Sequence, residues 1–140
     1  MNILYQTHAT ATGGRTGIAI IDDGAMTLSL TTPKELGGPG GDGTNPEQLF
    51  ASGYAACLLS ALHFVAGRRK HKLLDESSVI ATVGIGPRAD GAGFGLDVAL
   101  AVNLPGLDPQ IAQELVDAAH AACPYSHLSR DGVPVRLTLA

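Results

Sequence analysis

The chain lacks tryptophan and contains only three tyrosines and three phenylalanines among its 140 residues. Aromatic side chains are therefore too few to fill the interior, and the core must be built from Ala, Val, Leu and Ile. Two cysteines are too few for the disulfide framework of a small secreted domain. The first twelve residues lack the basic and apolar segments of a secretory signal, so we expect a protein that is not exported.

Positive charge is also scarce. Nine Lys and Arg against thirteen Asp and Glu give a formal net charge of −4, which lacks the basic surface of a nucleic-acid-binding protein. The one dense basic cluster, GRRKHK at 67–72, is short and is typical of a solvated loop. We therefore expect no nucleic-acid partner.

Charge of either sign is missing between Glu47 and Arg68. A membrane span needs at least about 18 apolar residues, so this run is long enough for one. Polar residues interrupt it, however, and a helix that is apolar on all sides is also typical of the buried centre of a soluble protein. We favour the buried helix and expect no membrane. Because so small a domain offers little interior, we expect a second subunit to supply the remaining cover.

Alternating apolar and polar residues predict antiparallel strands at 77–86, 93–104 and 133–140. Three more strands are predicted at 3–12, 17–22 and 27–32, separated by GGRTG and DDG turns. A second helix is predicted to begin with Asp108 as its N-cap and Pro109 as its first residue, and to end at Pro124. Its apolar face carries Ile111, Leu115, Val116, Ala119, Ala122 and Cys123. The order βββ-α-ββ-α-β indicates a single α+β domain over residues 1–140.

The loop before the first helix contains G-x-G-x-x-G at Gly38, Gly40 and Gly43. A dinucleotide site would need an acidic residue some 20 positions later for the ribose, and residues 48–74 contain none. A phosphate loop would need a lysine after Gly43, which is also missing. The loop therefore predicts no nucleotide cofactor. Thr44 and Glu47 at its end fit a capping box for the helix that follows.

The two cysteines, Cys57 and Cys123, allow four interpretations. Free cysteine is among the most buried residue types, so each could simply be a core residue. His120, Cys123 and His127 have a spacing that could supply part of a zinc site. A cysteine hydrolase would need a base beside the thiol, but His63 lies off the helical face that carries Cys57. A dithiol couple would need the two Cα atoms within about 6 Å and a nearby positive charge. Composition alone favours none of these.

Several motifs together resemble the organic hydroperoxide resistance (Ohr) proteins of the Ohr/OsmC family. They are HATATGGR, TPKELGGPGGDGTNPEQLFASGYAAC, ATVGIGP, GFGLDV and AAHAACPYS. The similarity covers essentially the whole chain, and the tyrosine of CPYS is the form found in the Ohr branch. The resemblance implies an OsmC-like fold with a long central helix, an intertwined homodimer, and a bacterial cytoplasmic location.

The resemblance also implies a thiol peroxidase that reduces organic hydroperoxides without a cofactor or a metal. Cys57 would be the peroxidatic thiol and Cys123 the resolving thiol, forming an intramolecular disulfide that a lipoylated protein or another dithiol reduces. Arg15 and Glu47 would form the pair that activates Cys57. Phe50 and Tyr125 are candidates for an apolar substrate pocket. A non-catalytic module of the same fold that binds a small ligand or a metal is the alternative.

Glu47 and Cys57 are ten residues apart, which corresponds to about 15 Å along a straight helix. The two side chains therefore cannot touch within one subunit unless the helix bends. Either Arg15 spans part of the distance, or one of the charged residues reaches Cys57 from a partner chain. We favour a site at the dimer interface.

Overall fold

Five strands and three α-helices form the part of the chain that the computed structural model describes, residues 1–22 and 24–139. The elements fall into two compact units, Met1–Leu49 and Phe50–Ala140. The predicted α+β class and the antiparallel pairing are confirmed, and the strands form two antiparallel sheets.

The first unit holds a three-stranded antiparallel sheet in the order β1-β2-β3. Its strands are β1 (Ala9–Thr12), β2 (Ile18–Ile21) and β3 (Thr27–Ser29). The GGRTG turn joins β1 to β2, and a Cβ atom at Gly17 would lie only 1.7 Å from the carbonyl oxygen of Thr12. The turn therefore requires glycine there. The predicted DDG turn includes Asp23, which lies outside the described residues.

The glycine-rich loop after β3 folds back along that strand. The backbone N–H of Thr44 donates to the carbonyl of Ser29 at 2.9 Å, and Thr44 in turn accepts from Thr31 at 2.9 Å. A Cβ atom at Gly38 would lie 2.2 Å from the carbonyl oxygen of Thr32. The glycine spacing in this loop is thus explained by close backbone packing.

Helix α1 (Pro46–Arg68) begins at the end of the first unit and continues into the second. Its N-terminus differs from the predicted capping box. The side chain of Asn45 caps the helix by accepting a hydrogen bond from the backbone N–H of Gln48 at 2.9 Å. Since Pro46 occupies the first helical position, the N-cap falls on Asn45 and not on Thr44. Glu47 is consequently not needed for capping.

The second unit contains a β-hairpin packed with the helices. Strands β4 (Ser78–Pro87) and β5 (Phe94–Asn103) pair along their whole length, from Ser78 opposite Asn103 to Pro87 opposite Phe94. Val98, Leu100 and Val102 on β5 pack against the core as predicted. Phe94 and Leu96, predicted to share that face, are exposed at the end of the hairpin.

Helix α2 (Pro109–Ala122) begins as predicted, because the carboxylate of Asp108 accepts from the backbone N–H groups of Gln110 and Ile111 at 2.9 and 3.3 Å. Cys123 ends it, and a further helix, α3 (Pro124–Asp131), begins immediately. The sequence interpretation took Pro124 only as a terminator and missed α3. Proline is unfavourable inside a helix but is favoured at the first helical position, where its missing N–H would have no partner within the helix.

The core of the second unit lies between α1 and α2. Its fully or nearly fully buried members are Tyr54, Leu58, Ala61, Leu62, Val65, Ala66, Leu73, Leu115, Ala119 and Cys123. The predicted apolar face of α2 is therefore correct, except that Ala122 is exposed. Aliphatic side chains and alanine dominate this core, as the shortage of aromatic residues requires.

The predicted C-terminal strand does not form among the described residues of 133–139. Val135 and Leu137 there are 75% and 90% exposed. The N-terminal segment behaves similarly, since β1 starts only at Ala9, and Leu4 before it is 92% exposed. Alternation predicts which side chains share a face, but a strand also needs a neighbouring backbone for its hydrogen bonds. Within one chain, these two segments do not receive that partner in the part the structure describes.

By length and composition, α1 could cross a membrane, and 33% of its apolar window is buried within the chain. The core helix of a soluble domain passes the same test. The buried residues of α1 form most of the core of the second unit, and they pack against α2 and the hairpin. This packing fits the buried helix predicted from the sequence.

Candidate active site

The two cysteines meet in the second unit. Cys57 lies midway along α1, and Cys123 is the residue between α2 and α3. Both are free thiols, and their Sγ atoms are 3.4 Å apart. Cys57 is partly exposed, whereas Cys123 is 0% exposed. A disulfide bond has an S–S length of about 2.05 Å, so a shift of roughly 1.4 Å would join the two atoms. The pair is arranged as a dithiol couple.

Cys123 is the N-cap residue of α3. Burial alone would raise the pKa of its thiol. Hydrogen bonds from the backbone N–H and the hydroxyl of Ser126, from Cys57 and from the backbone N–H of Tyr125 outweigh burial, and they lower the pKa of Cys123 below its usual value. A sulfur at a helix N-terminus is stabilised as thiolate in this way.

Cys57 is shifted in the opposite direction. Burial raises the pKa of its thiol, a hydrogen bond from the backbone N–H of Tyr125 opposes this rise, and the neighbouring Cys123 raises the pKa further. Two thiols this close titrate together, and their environments shift the two pKa values in opposite directions, up for Cys57 and down for Cys123.

Three aromatic rings adjoin the thiols. Phe50 stacks on Tyr125 with centroids 5.9 Å apart, and it meets Tyr54 edge-on at 5.7 Å. Tyr125 can approach α1 because residue 53 is glycine: a Cβ atom on Gly53 would lie 3.0 Å from the Tyr125 hydroxyl oxygen. The two predicted pocket residues are thus brought together. Phe50 lies about two helical turns before Cys57 on α1, and Tyr125 stacks on it from α3.

Arg15 and Glu47 form a bidentate ion pair in the first unit. Nη1 of Arg15 donates to Oε2 of Glu47 at 2.8 Å, and Nη2 donates to Oε1 at 2.6 Å. The hydrogen bonds from Arg15 lower the pKa of the Glu47 carboxyl below its usual value of about 4.3. The pair is therefore fully formed at neutral pH, and its contribution is lost only as the pH falls through that lowered pKa. The side chain of Arg15 is 36% exposed, so other groups can reach the guanidinium.

The residues considered for zinc do not converge. Cys123 points to Cys57, whereas His120 is exposed and the Nδ1 atom of His127 lies 3.0 Å from Asp131 on the same helix. Among residues 1–22 and 24–139, no three His, Cys, Asp or Glu side chains are grouped as metal ligands.

Ser126 is the residue of this site that the sequence interpretation missed. It is 0% exposed, contributes to lowering the pKa of Cys123, and accepts a hydrogen bond from the hydroxyl of Tyr54 at 3.0 Å. The motif CPYS contained the signal. If proline starts a helix, Cys123 is its N-cap and Ser126 its third residue, and the third side chain of a helix can reach back to the N-cap.

Comparisons with known proteins agree over nearly the whole chain. The family model described as OsmC-like protein matches residues 38–138. The organic hydroperoxide resistance protein of Xanthomonas axonopodis pv. citri is 54% identical over 138 residues, 99% of this chain and 96% of that protein. A solved organic hydroperoxide resistance protein from Elizabethkingia anophelis is 47% identical with a TM-score of 0.87, over 94% of this chain and 92% of that one. The solved structure of OhrB of Bacillus subtilis is 41% identical with a TM-score of 0.83, over 99% of this chain and 100% of that one.

Proposed function

The chain belongs to the OsmC-like family, in its organic hydroperoxide resistance branch, and from this premise we propose that it is a cysteine-based peroxidase that reduces organic hydroperoxides. The observation that carries the proposal is the 3.4 Å approach of the two free thiols, one partly exposed and the other buried. A core cysteine needs no such partner. A peroxidase that forms an intramolecular disulfide does.

In the proposed reaction, the Cys57 thiolate attacks one oxygen of the hydroperoxide. The O–O bond breaks, the alcohol leaves after taking up a proton, and Cys57 becomes a sulfenic acid. Cys123 then attacks the Cys57 sulfur, which releases water and forms the Cys57–Cys123 disulfide. A dithiol, for which a lipoylated protein is our candidate, returns both cysteines to the reduced state by exchange. No cofactor or metal takes part.

Arg15 and Glu47 are proposed to activate Cys57. Because burial and Cys123 both raise the pKa of Cys57, the thiolate needs a positive charge beside it. Arg15 supplies a planar guanidinium whose Nη1 and Nη2 atoms are both hydrogen-bonded to Glu47. The side chain of Arg15 is partly exposed, so the guanidinium is also available to a sulfur. We propose that this contact occurs at the dimer interface.

Phe50 and Tyr125 are proposed to bind the organic part of the substrate. The stacked rings are partly buried and lie on the same side of α1 as Cys57. Alkyl or fatty-acid hydroperoxides would bury apolar surface there, worth about 25 cal/mol per Å², whereas hydrogen peroxide has no apolar part to bury. The site is therefore expected to prefer organic hydroperoxides.

We propose that residues 1–140 act as a single domain in a cytoplasmic, intertwined homodimer. The exposed apolar residues of both chain ends, such as Leu4, Val135 and Leu137, support a second chain as their cover. Sedimentation equilibrium at micromolar concentration is expected to give about twice the monomer mass of 14.3 kDa. A monomeric mass would contradict this part of the proposal.

Counting thiols tests the reaction. Reduced protein treated with one equivalent of cumene hydroperoxide is expected to lose both thiols, with one cumyl alcohol formed per chain and no crosslink between chains. Protein alkylated beforehand with iodoacetamide is the control and should form no alcohol. Retention of both thiols would remove the peroxidase and favour a ligand-binding module. Bound zinc released on oxidation would favour a metal-binding one.

A further inference from the structure

A glycine on α1 faces the ring of Tyr125. Gly53 precedes Cys57 by four residues, about one helical turn, so both lie on the same side of the helix. A Cβ atom on Gly53 would lie 3.0 Å from the hydroxyl oxygen of Tyr125, and 3.1 and 3.4 Å from the ring carbons Cε2 and Cζ. These two carbon distances are shorter than the optimum of about 3.5–4.0 Å between carbon atoms. Glycine is less favourable than alanine inside a helix, so its advantage at position 53 is the room that it leaves for the ring.

The ring of Tyr125 is held on α1 by its aromatic neighbours. Phe50 stacks on it with centroids 5.9 Å apart, and the ring of Tyr54 lies tilted against it at 5.8 Å. The hydroxyl of Tyr54 also donates to Oγ of the fully buried Ser126 at 3.0 Å. The first turn of α3 is thereby docked on one face of α1. A methyl group on Gly53 would press on this whole turn and not on the ring alone.

The same turn begins at the buried sulfur. Cys123 is the residue directly before α3, two positions from Tyr125, and its Sγ atom lies 3.4 Å from that of Cys57. A disulfide bond requires the two sulfurs to come within about 2.05 Å of each other. Any displacement of the start of α3 away from α1 widens the gap that the two sulfurs have to close.

We propose that Gly53 is a positioning residue for the redox couple. The absence of a side chain at this position lets the first turn of α3 approach α1 closely enough for the Cys57–Cys123 disulfide to form. In this role Gly53 acts through the ring of Tyr125. The inference rests on the proposed function, because it gives the glycine a part in resolving the sulfenic acid of Cys57.

The step that depends on Gly53 is the second of the proposed cycle. Sγ of Cys123 attacks Sγ of the Cys57 sulfenic acid, and the sulfur–oxygen bond breaks. The hydroxide that leaves takes up the proton lost by Cys123 and becomes water. Cys123 is oxidised while the sulfenic sulfur of Cys57 is reduced, so this step needs no further oxidant.

Gly53→Ala tests the inference through the stability of the disulfide. The bond is formed with diamide, which takes two electrons and two protons from the thiols, so its formation does not depend on peroxidase activity. The reduction potential is then measured in mixtures of reduced and oxidised dithiothreitol. The equilibrium constant for forming the disulfide is expected to fall about tenfold, because the effective concentration of one thiol at the other falls steeply when the two are misplaced. For a two-electron couple this makes the potential about 30 mV less negative.

Gly67→Ala is the matched control. It makes the same substitution in the same helix, but a Cβ atom on Gly67 would meet no atom within 4 Å. Its reduction potential should equal that of the wild-type protein. Far-ultraviolet circular dichroism of both reduced variants checks that the fold is retained. A wild-type potential in Gly53→Ala would overturn the inference.

Tyr125→Ala shows whether the effect passes through the ring. It removes the group that the new methyl would meet, so adding Gly53→Ala to it should change the potential no further. An undiminished effect of Gly53→Ala in that background would refute the inference. If Gly53→Ala does not fold, Tyr125→Ala tests the docking from the other side. Loss of the docked ring should make the potential less negative, and an unchanged value would likewise count against the inference.

Failure of the proposed peroxidase would be seen separately. In that case diamide would still produce the Cys57–Cys123 disulfide, and its potential would still respond to Gly53→Ala, but an organic hydroperoxide would not produce the bond.

Discussion

Cys57→Ser is expected to abolish the consumption of organic hydroperoxide, because no nucleophile remains at the partly exposed position of the site. Cys123 is the more acidic thiol of the pair, but it is fully buried and cannot replace Cys57. Alcohol formation in the presence of excess dithiol should fall to the uncatalysed rate. The fold should be retained, since serine differs from cysteine by one atom, and far-ultraviolet circular dichroism checks this.

Cys123→Ser separates the two roles. It should give a first turnover with one alcohol per chain and then stop, because no second thiol condenses with the sulfenic acid. With excess hydroperoxide, Cys57 should proceed to sulfinic acid, which mass spectrometry detects as a gain of two oxygens. Complete loss of the first turnover in both variants would contradict the assignment of Cys57 as the peroxidatic residue.

Arg15→Ala is expected to have the second largest effect. Without the cation, burial and Cys123 keep the pKa of Cys57 above its usual value, so little thiolate is present at neutral pH. The peroxide rate at pH 7 should fall by orders of magnitude and recover as the pH rises, since alkali ionises the thiol directly. If Arg15 were an ordinary exposed residue, its replacement by alanine would change the free energy of unfolding by no more than about 0.5 kcal/mol and would leave the peroxide rate unchanged.

The measurement is the pH dependence of Cys57 alkylation in the Cys123→Ser background, with and without Arg15→Ala. The alkylation pKa should be lower with Arg15 present, and without it should rise towards or above the free-cysteine value of about 8.5. Arg15→Lys is the matched control and should recover little, because an ammonium cannot bridge the carboxylate and the thiolate as a planar guanidinium does. An alkylation pKa that does not change would remove Arg15 from the mechanism.

Much of the fold could be predicted because its signals are local. Period-two alternation located β4 and β5, and Asp108 with Pro109 located the start of α2. The C-terminal strand was predicted by the same alternation and is not formed among the described residues of 133–139. Alternation contains no information about which backbone pairs with a strand, or whether that backbone belongs to the same chain.

The site was predictable in its residue types and less so in its hydrogen bonds. Motif similarity singled out Cys57, Cys123, Arg15 and Glu47, and the structure pairs the two cysteines and, separately, the two charged residues. The capping of α1 by Asn45 and the effect of Ser126 on the pKa of Cys123 were missed. Both depend on the exact residue at which a helix begins. Composition does not determine that residue, whereas a proline at the first helical position indicates it.

The absence of tryptophan combines with the aromatic cluster to give the protein an optical property. Of its three tyrosines, Tyr5 is 79% exposed near the N-terminus, whereas Tyr54 and Tyr125 pack against each other beside the thiols. A near-ultraviolet circular dichroism signal arises from aromatic rings held in fixed packing. In this chain, the tyrosine part of that signal therefore comes mainly from these two rings, which belong to the same packed cluster as the two cysteines. The spectrum will follow the oxidation state of the site without an added label.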